Sequence, residues 1–253
     1  MIELKSPSEI ERMRKPARIV GEILAALREM VVPGITTGEL DGAAERMIEK
    51  AGARSAFKNY RVGSAVFPAV LCTSVNEEIV HGIPSEAREL LEGDIVSLDF
   101  GVEYGGYYGD SAMTLPVGTI DEESRRLLEV TERSLYAGID HLHPGERLGD
   151  VGAAVQEVAE GAGYSVVREF VGHGIGQALH EEPQVPNYGE RGRGRALRVG
   201  MVLAVEPMVN LGAAGVRVLK DGWTAVTEDG RRSAHFEHTI AVTATGPEIL
   251  TRV

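Results

Sequence analysis

Residues 93–114 read GDIVSLDFGVEYGGYYGDSAMT. Two runs rich in β-branched and aromatic residues flank Gly105-Gly106, and paired glycines supply the positive φ values of a two-residue turn, so the stretch predicts a β-hairpin. With those glycines as the turn, Asp110 falls opposite Gly101, and Asp99 lies two residues along the same strand. Residues two apart share a strand face, and so do cross-strand partners. Asp99 and Asp110 therefore leave one face as a diagonal pair, their backbones roughly 7 Å apart. A bulge in either strand would break that parity.

Asp99 is the odd residue of its strand. Ile95, Val96, Leu98, Phe100 and Val102 form a near-continuous apolar run, the pattern of a strand buried on both faces. A carboxylate in such a strand is costly unless it is paired, hydrogen-bonded or bound to a metal. Two on one buried face need a cation, or one must hold a proton. The alternative is a turn-proximal aspartate that accepts from backbone amides.

Working outward, 253 residues make one large domain or two small ones, with ample length for a core. Apolar content of 43% and charged content of 25% are ordinary for a soluble globular chain. A net charge of −12 argues against a general nucleic-acid binder, so no DNA partner is expected. The single cysteine, Cys72, excludes an intrachain disulfide and fits a reducing cytoplasm. Residues 1–20 are charged and lack the apolar core of a secretory leader. No run approaches the length of about 20 apolar residues that a membrane span needs.

Ser6-Pro7-Ser8-Glu9 has the pattern of a helix start with a capping box. Apolar residues from Ile10 to Leu27 then recur at helical spacing up to Met30, with Pro16 a candidate bend. Pro33-Gly34 ends this helix, and Thr37 is expected to cap a second over 38–51. Strands are expected around 65–73, 93–103 and 107–116, and helices over 122–142 and 149–162. Further strands are expected over 166–170, 201–209, 216–220, 225–228 and 234–242. Residues 33–52 and 144–163 also resemble each other, with seven identities in twenty at an offset of 111. Two similar helical hairpins could arise by chance. A duplication instead predicts a single domain over 1–253 built from two α/β halves, about 1–116 and 117–253, with a site in the cleft between them.

Three later segments can carry chemistry. His173 sits between glycines in VGHGIG, which leaves its imidazole room; alone it reads as an ordinary loop histidine. LHEEP follows at 179–183. Glu206 lies in MVLAVEPMV, the most apolar stretch of the second half, and Glu237 lies in FEHTIAV beside His238, which should face the other side of the strand. Two aspartates, two glutamates and a histidine suit Mn, Fe, Co or Zn in a reactive site better than a structural zinc. Four carboxylates around one cleft call for more than one positive charge, and two bridged metal ions about 3.5–4 Å apart would supply it and activate a water.

NEEIVHGIP at 76–84, the hairpin, FVGHGIG at 170–176, LHEEPQVPNYG at 179–189, GMVLAVEPMVN at 200–210, KDGWTAVTEDG at 220–230 and FEHTIAVT at 236–243 together resemble the type I methionine aminopeptidases in their short bacterial form. The resemblance runs through essentially the whole chain. It implies an α+β pita-bread fold, two pseudo-symmetric halves around a curved antiparallel sheet. It implies a cytoplasmic monomer that excises the N-terminal methionine from nascent polypeptides when the second residue is small. It also implies two divalent ions (Co, Mn, Fe or Zn) held by Asp99, Asp110, His173, Glu206 and Glu237, with Asp110 and Glu237 shared. Glu206 would also move a proton, His180 would bond the substrate carbonyl, and His81 would contact the scissile amide or amine. Phe67, Cys72, His81, Leu179 and Trp223 would line the methionine pocket. Relatives often carry tyrosine where Phe67 stands and an aromatic ring where Leu179 stands. The chain's own Ile2 is large and β-branched, so its Met1 is expected to be retained.

The basic, glycine-rich loop Arg191–Arg198 reads as a solvated loop, with transient contact to ribosomal RNA as the alternative. Proline-specific aminopeptidases and prolidases of the same fold carry an extra N-terminal domain for which this chain has no room. A non-enzymatic binding protein of this fold would not need the full ligand set.

Overall fold

The computed structural model describes residues 2–253; Met1, on which the retention expectation falls, lies outside them. Four helices pack against antiparallel sheets. The first, α1 (Pro7–Arg28), begins with the expected capping box: Ser6 N donates to Glu9 Oε2 at 2.8 Å, and Glu9 N donates back to Ser6 Oγ at 3.3 Å. It runs through Pro16 as one element and buries Met13, Ala17, Val20, Leu24 and Leu27, the face that its apolar spacing sets. The second, α2 (Thr37–Ala51), is capped by Thr36 rather than Thr37. Thr37 turns inward instead, and its hydroxyl accepts from Ser85 N at 2.9 Å. A capping box with Glu39 satisfies the helix start from the residue before it. Helices α3 (Glu122–Ile139) and α4 (Leu148–Gly161) form the corresponding pair in the second half of the chain. Gly34 and Gly145, with φ of 96° and 98°, make the breaks that lead into α2 and α4.

The central hairpin forms in the expected register. Strands Ile95–Tyr104 and Tyr107–Pro116 pair with Gly101 opposite Asp110 and Asp99 opposite Ala112, and Gly105 and Gly106 take φ of 62° and 83° at the turn. The other edge of Ile95–Tyr104 pairs with Cys72–Val75, which sets Cys72 opposite Asp99, and with Arg54–Ser55. A five-stranded antiparallel sheet holds the second half, in the order Glu181–Val185, Gly172–Gly174, Val202–Val205, His238–Thr243, Gly246–Ile249. The two systems meet edge to edge where Glu237 N donates to Ala112 O at 2.9 Å and Thr239 Oγ1 donates to Asp110 O at 2.7 Å. That junction brings two sequence-distant strands to one site.

Two expected strands break in the middle. The run 201–209 is interrupted at Glu206-Pro207, between Val202–Val205 and Met208–Asn210, because proline has no N–H to continue the ladder. The run 234–242 divides around Phe236-Glu237 into Ser233–His235 and His238–Thr243. Both glutamates singled out in the sequence occupy these breaks, where the chain passes from one sheet to the next. The run 65–73 divides likewise around Pro68, and 166–170 keeps only Ser165–Val166. The strands Glu78–Val80, Gly172–Gly174 and Glu181–Val185 carry no alternating pattern that would have marked them.

Helices α1 and α2 cover the back of the first sheet in a core that includes Leu24, Leu27, Leu40, Leu98 and Phe100. Leu135, Ile139 and Val151 of α3 and α4 pack on Leu203, Val205 and Ile240 of the second. Close approach of α1 depends on Gly109: a Cβ there would lie 2.6 Å from Ala17 N. Among the described residues, no helix is long and apolar enough to cross a membrane.

Candidate metal centre

A cavity of about 350 Å³ opens on the face of the sheets away from the helices. Its wall contains all eleven residues singled out in the sequence: Asp99, Asp110, His173, Glu206 and Glu237, with Phe67, Cys72, His81, Leu179, His180 and Trp223. A larger groove of about 740 Å³ lies behind the sheet between α1 and α3; it holds none of these side chains. His238 lines that rear groove, bonded to Thr251 Oγ1 at 2.9 Å, so it does face away from Glu237.

Each carboxylate is placed by backbone it did not choose. Asp99 and Asp110 project together because the hairpin register makes them diagonal neighbours. Glu206 and Glu237 enter from the two strand breaks. His173 sits on the short strand Gly172–Gly174, with Ala204 opposite. Its flanking glycines are required, since a Cβ at Gly172 would strike Ala204 O and one at Gly174 would strike Glu182 O. His173 Nδ1 lies 2.9 Å from Gly174 O, an atom that can only accept; the proton is therefore on Nδ1, and Nε2 turns a lone pair to the cavity. That Nε2 lies 3.6 Å from Glu206 Oε1 and 4.0 Å from Asp110 Oδ2. Ligand atoms of Asp110, His173 and Glu237 all lie within 4.8 Å of one another.

These groups are buried without partners. Asp99 Oδ1, Asp110 Oδ1 and Glu237 Oε1 are enclosed and make no hydrogen bond. Burial pushes the Asp99 carboxyl up to about 7. Asp110, Glu206 and Glu237 are pushed well above the ordinary carboxylate range, first by burial and then by the charge of neighbouring carboxylates, Asp99 among them. His173 is driven down to about 3, mainly by burial and then by His180. At neutral pH a cluster of four carboxylates and an unprotonated imidazole lacks positive charge, and orphaned buried oxygens are costly. Oxygen-rich donors with one imidazole nitrogen match divalent first-row ions, so the residues present fit a metal centre.

The facing wall is apolar and aromatic. Phe67 and Trp223 stack edge to face at 5.3 Å between centroids, and His81 stands edge-on to Phe170 at 5.4 Å. His81 adopts φ of 61°, unusual for a residue with a side chain and a mark of a position held by its surroundings. The ring of His180 lies 4.4 Å from that of His173, and its Nδ1 is 2.8 Å from Tyr60 Oη. Tyr60, Phe57 and Val62 also line the cavity, yet nothing in the sequence pattern pointed to them. His235, wholly buried with neither ring nitrogen bonded, stands 3.7 Å from Glu206 Oε2 and was also not anticipated. Gly192 N donates to Asp150 Oδ1 at 2.6 Å and Arg191 forms a fork with Glu157, so the basic loop is tied to α4.

The family model for metallopeptidase family M24 matches residues 11–244. The chain belongs to metallopeptidase family M24. Among M24 relatives it is 53% identical to methionine aminopeptidase 1 of Bacillus subtilis and 51% identical to the methionine aminopeptidase of Clostridium perfringens, in each case over the full length of both chains. The solved methionine aminopeptidase of Thermotoga maritima superposes with a TM-score of 0.97 at 48% identity, again over all of both chains. The prolidase of Pyrococcus furiosus shares the fold, with a TM-score of 0.76 at 23% identity, across 99% of this chain and 65% of its own. The fold is thus the pita-bread fold of M24, and the chain is a metal-dependent hydrolase.

Proposed function

We propose that this cavity removes the N-terminal methionine from polypeptides whose second residue is small. The observation that carries the reading is the buried cluster of carboxylates and His173 at the end of an apolar pocket, in a chain that matches methionine aminopeptidases from end to end. Asp99, Asp110, His173, Glu206 and Glu237 would hold two divalent ions. Such ions, when bound, supply Lewis acidity and a water acidic enough to attack near neutral pH.

The chain's own residues do the rest. Phe67, Cys72, Leu179 and Trp223 surround the methionine side chain with apolar surface and exclude water from it. The carboxylates accept from the substrate's free amine, which confines cleavage to the first peptide bond. Glu206 takes the proton released by the attacking water at a carboxylate oxygen and passes it to the leaving amine. Tyr60 Oη lies 2.8 Å from Nδ1 of His180; with the tyrosine as donor, the proton of His180 sits on Nε2, where it bonds the carbonyl oxygen as charge gathers there. His81 contacts the scissile amide from the opposite wall. Nascent polypeptides in the cytoplasm are the substrates on this reading, the chain acts as a monomer, and Arg191–Arg198 is the surface to mutate for any ribosome contact.

The test is hydrolysis of Met-Ala-Ser, Met-Leu-Ser and Ala-Pro-Ala by chelator-stripped protein titrated with Mn, Fe, Co or Zn. Cleavage of Met-Ala-Ser alone, restored by metal and reduced at least about 100-fold in Asp110→Asn, is expected. Cleavage of Ala-Pro-Ala instead would move the chain to the proline-specific branch of the family.

A further inference from the structure

Lys5 is a lysine with almost no access to solvent. Its side chain is 3% exposed, and its ammonium lies 2.6 Å from Glu181 Oε2. The second acid near it, Glu3 at 3.3 Å, is largely exposed and forms the outer side of the contact. The fold makes deliberate room for this lysine. Lys5 N donates to Gly200 O at 2.6 Å, and Gly200 takes φ of 93°, where a Cβ would lie 2.7 Å from Lys5 O. A Cβ at Gly176 would meet Lys5 Cε and stand 2.6 Å from Nζ. Two glycines on separate segments therefore leave the channel through which the lysine reaches Glu181.

Glu181 does more than neutralise Lys5. Its other oxygen, Oε1, accepts from Gln177 N at 2.7 Å and from Ala178 N at 3.2 Å. Those amides belong to the turn that joins strands Gly172–Gly174 and Glu181–Val185, and the next two residues are Leu179 and His180. Leu179 is buried in the pocket wall, and His180 sets its ring against His173. Gln177 and Ala178 are exposed, so solvent offers these amides an alternative whenever the carboxylate moves. The Lys5 charge is what holds that carboxylate in place, since a carboxylate fixed by a buried ammonium has one low-energy orientation.

We propose that Lys5 and Glu181 are positioning residues for His180: the N-terminal segment clamps the 177–180 turn through a buried ion pair and so aims His180 at the substrate. The proposal rests on the aminopeptidase reading for its kinetic arm and stands apart from it in its exchange arm.

The experiment uses Lys5→Met, Lys5→Arg, Glu181→Gln and His180→Ala in the full-length, metal-loaded chain. On Met-Ala-Ser, Lys5→Met is expected to lower kcat about tenfold with KM changed less than about twofold, because His180 serves the transition state more than binding. Lys5→Arg is expected to recover most of the loss. In a His180→Ala background Lys5→Met is expected to cost nothing further, whereas a merely structural role would cost the same tenfold in both backgrounds. Independently of activity, hydrogen exchange at Gln177 and Ala178 is expected to speed up about tenfold or more in Lys5→Met and Glu181→Gln, with α2 unchanged. Unchanged exchange at those two amides overturns the proposal, and so does an additive effect with His180→Ala. A wild-type chain that cleaves no peptide refutes the aminopeptidase reading, and the exchange arm then decides the clamp by itself. Should Lys5→Met not fold, Glu181→Gln carries both arms.

Discussion

Stripping divalent ions from this chain should make its stability fall with rising pH just above neutrality, where the metal-loaded chain should show little slope. Asp110, Glu206 and Glu237 are each raised well above the carboxylate range by burial and mutual repulsion, so the metal-free fold retains protons there that the unfolded chain has released. A group whose pKa is raised on folding contributes stability that is complete below its unfolded pKa and is lost as pH climbs through its folded value. Asp99, raised to about 7, has little left to contribute above neutrality, so a slope there is the signature of Asp110, Glu206 and Glu237, which burial also raises. The buried histidines act in the opposite sense. His173 and His235, lowered to about 3, and His81 and His238, lowered to about 4, contribute stability that is present above the unfolded value of 6.5 and is lost as pH falls through the folded value. From about pH 7.5 to about 8.5 the histidines are neutral in both states, and the acid cluster contributes together with the Cys72 thiol, which burial also raises, in the same sense; Asp110→Asn separates the two. Each proton held by the fold alone costs about 1.4 kcal/mol per pH unit. One such proton lowers the melting midpoint of a chain this size by roughly 3–6 °C across that unit, and two double it. With Mn bound the carboxylates are ionised in the fold too, and their part of the slope should vanish. The assay is thermal unfolding in chelator and in excess Mn at matched ionic strength, with Asp110→Asn as a variant that removes one proton site. A chelated chain whose midpoint is flat or rises between the two pH values would refute the assignment of uncompensated charge to this cluster.

Three further outcomes follow from the packing. Leu24, in α1 and wholly within the core under the first sheet, should cost about 2–5 kcal/mol when cut to alanine, read as a fall in urea midpoint with the slope unchanged. Gly109→Ala should cost about 1–3 kcal/mol although it adds only a methyl, because the obstacle is the backbone of Ala17; a midpoint equal to wild type would show that α1 can retreat. Tyr60→Phe removes the hydroxyl that bonds His180 and should lower kcat on Met-Ala-Ser by roughly 3–10-fold while leaving metal affinity intact, as checked by Mn titration.

The hairpin was legible because its rules are local. A glycine pair sets the turn, a period of two sets the faces, and together they place Asp99 beside Asp110 without reference to the rest of the chain. The capping box of α1 and the apolar stripes of α1 and α2 were legible for the same reason. Glu206, Glu237 and His173 stood out by their apolar or glycine-rich surroundings, whereas Phe67, Cys72, His81 and Trp223 were legible only through long ordered motifs that resemble a family. What local rules missed lies where tertiary structure overrides them. Thr36 displaces Thr37 as cap because Thr37 is claimed by Ser85, remote in sequence. The strands around Glu206 and Glu237 looked continuous because apolar runs persist across both breaks.

The sequence by itself determined which groups are costly to bury, since a carboxylate in an apolar strand demands a partner wherever the strand ends up. Only the tertiary structure decided that the partners are shared. The junction of Ala112 with Glu237 brings two aspartates from one hairpin against two glutamates from strands more than ninety residues away, and the interruption at Pro207 turns Glu206 toward them. Tyr60 meets His180 and Lys5 meets Glu181 by the same means. Contacts so distant along the chain leave no periodic trace in it, because each depends on the closure of the whole sheet rather than on the residues beside it.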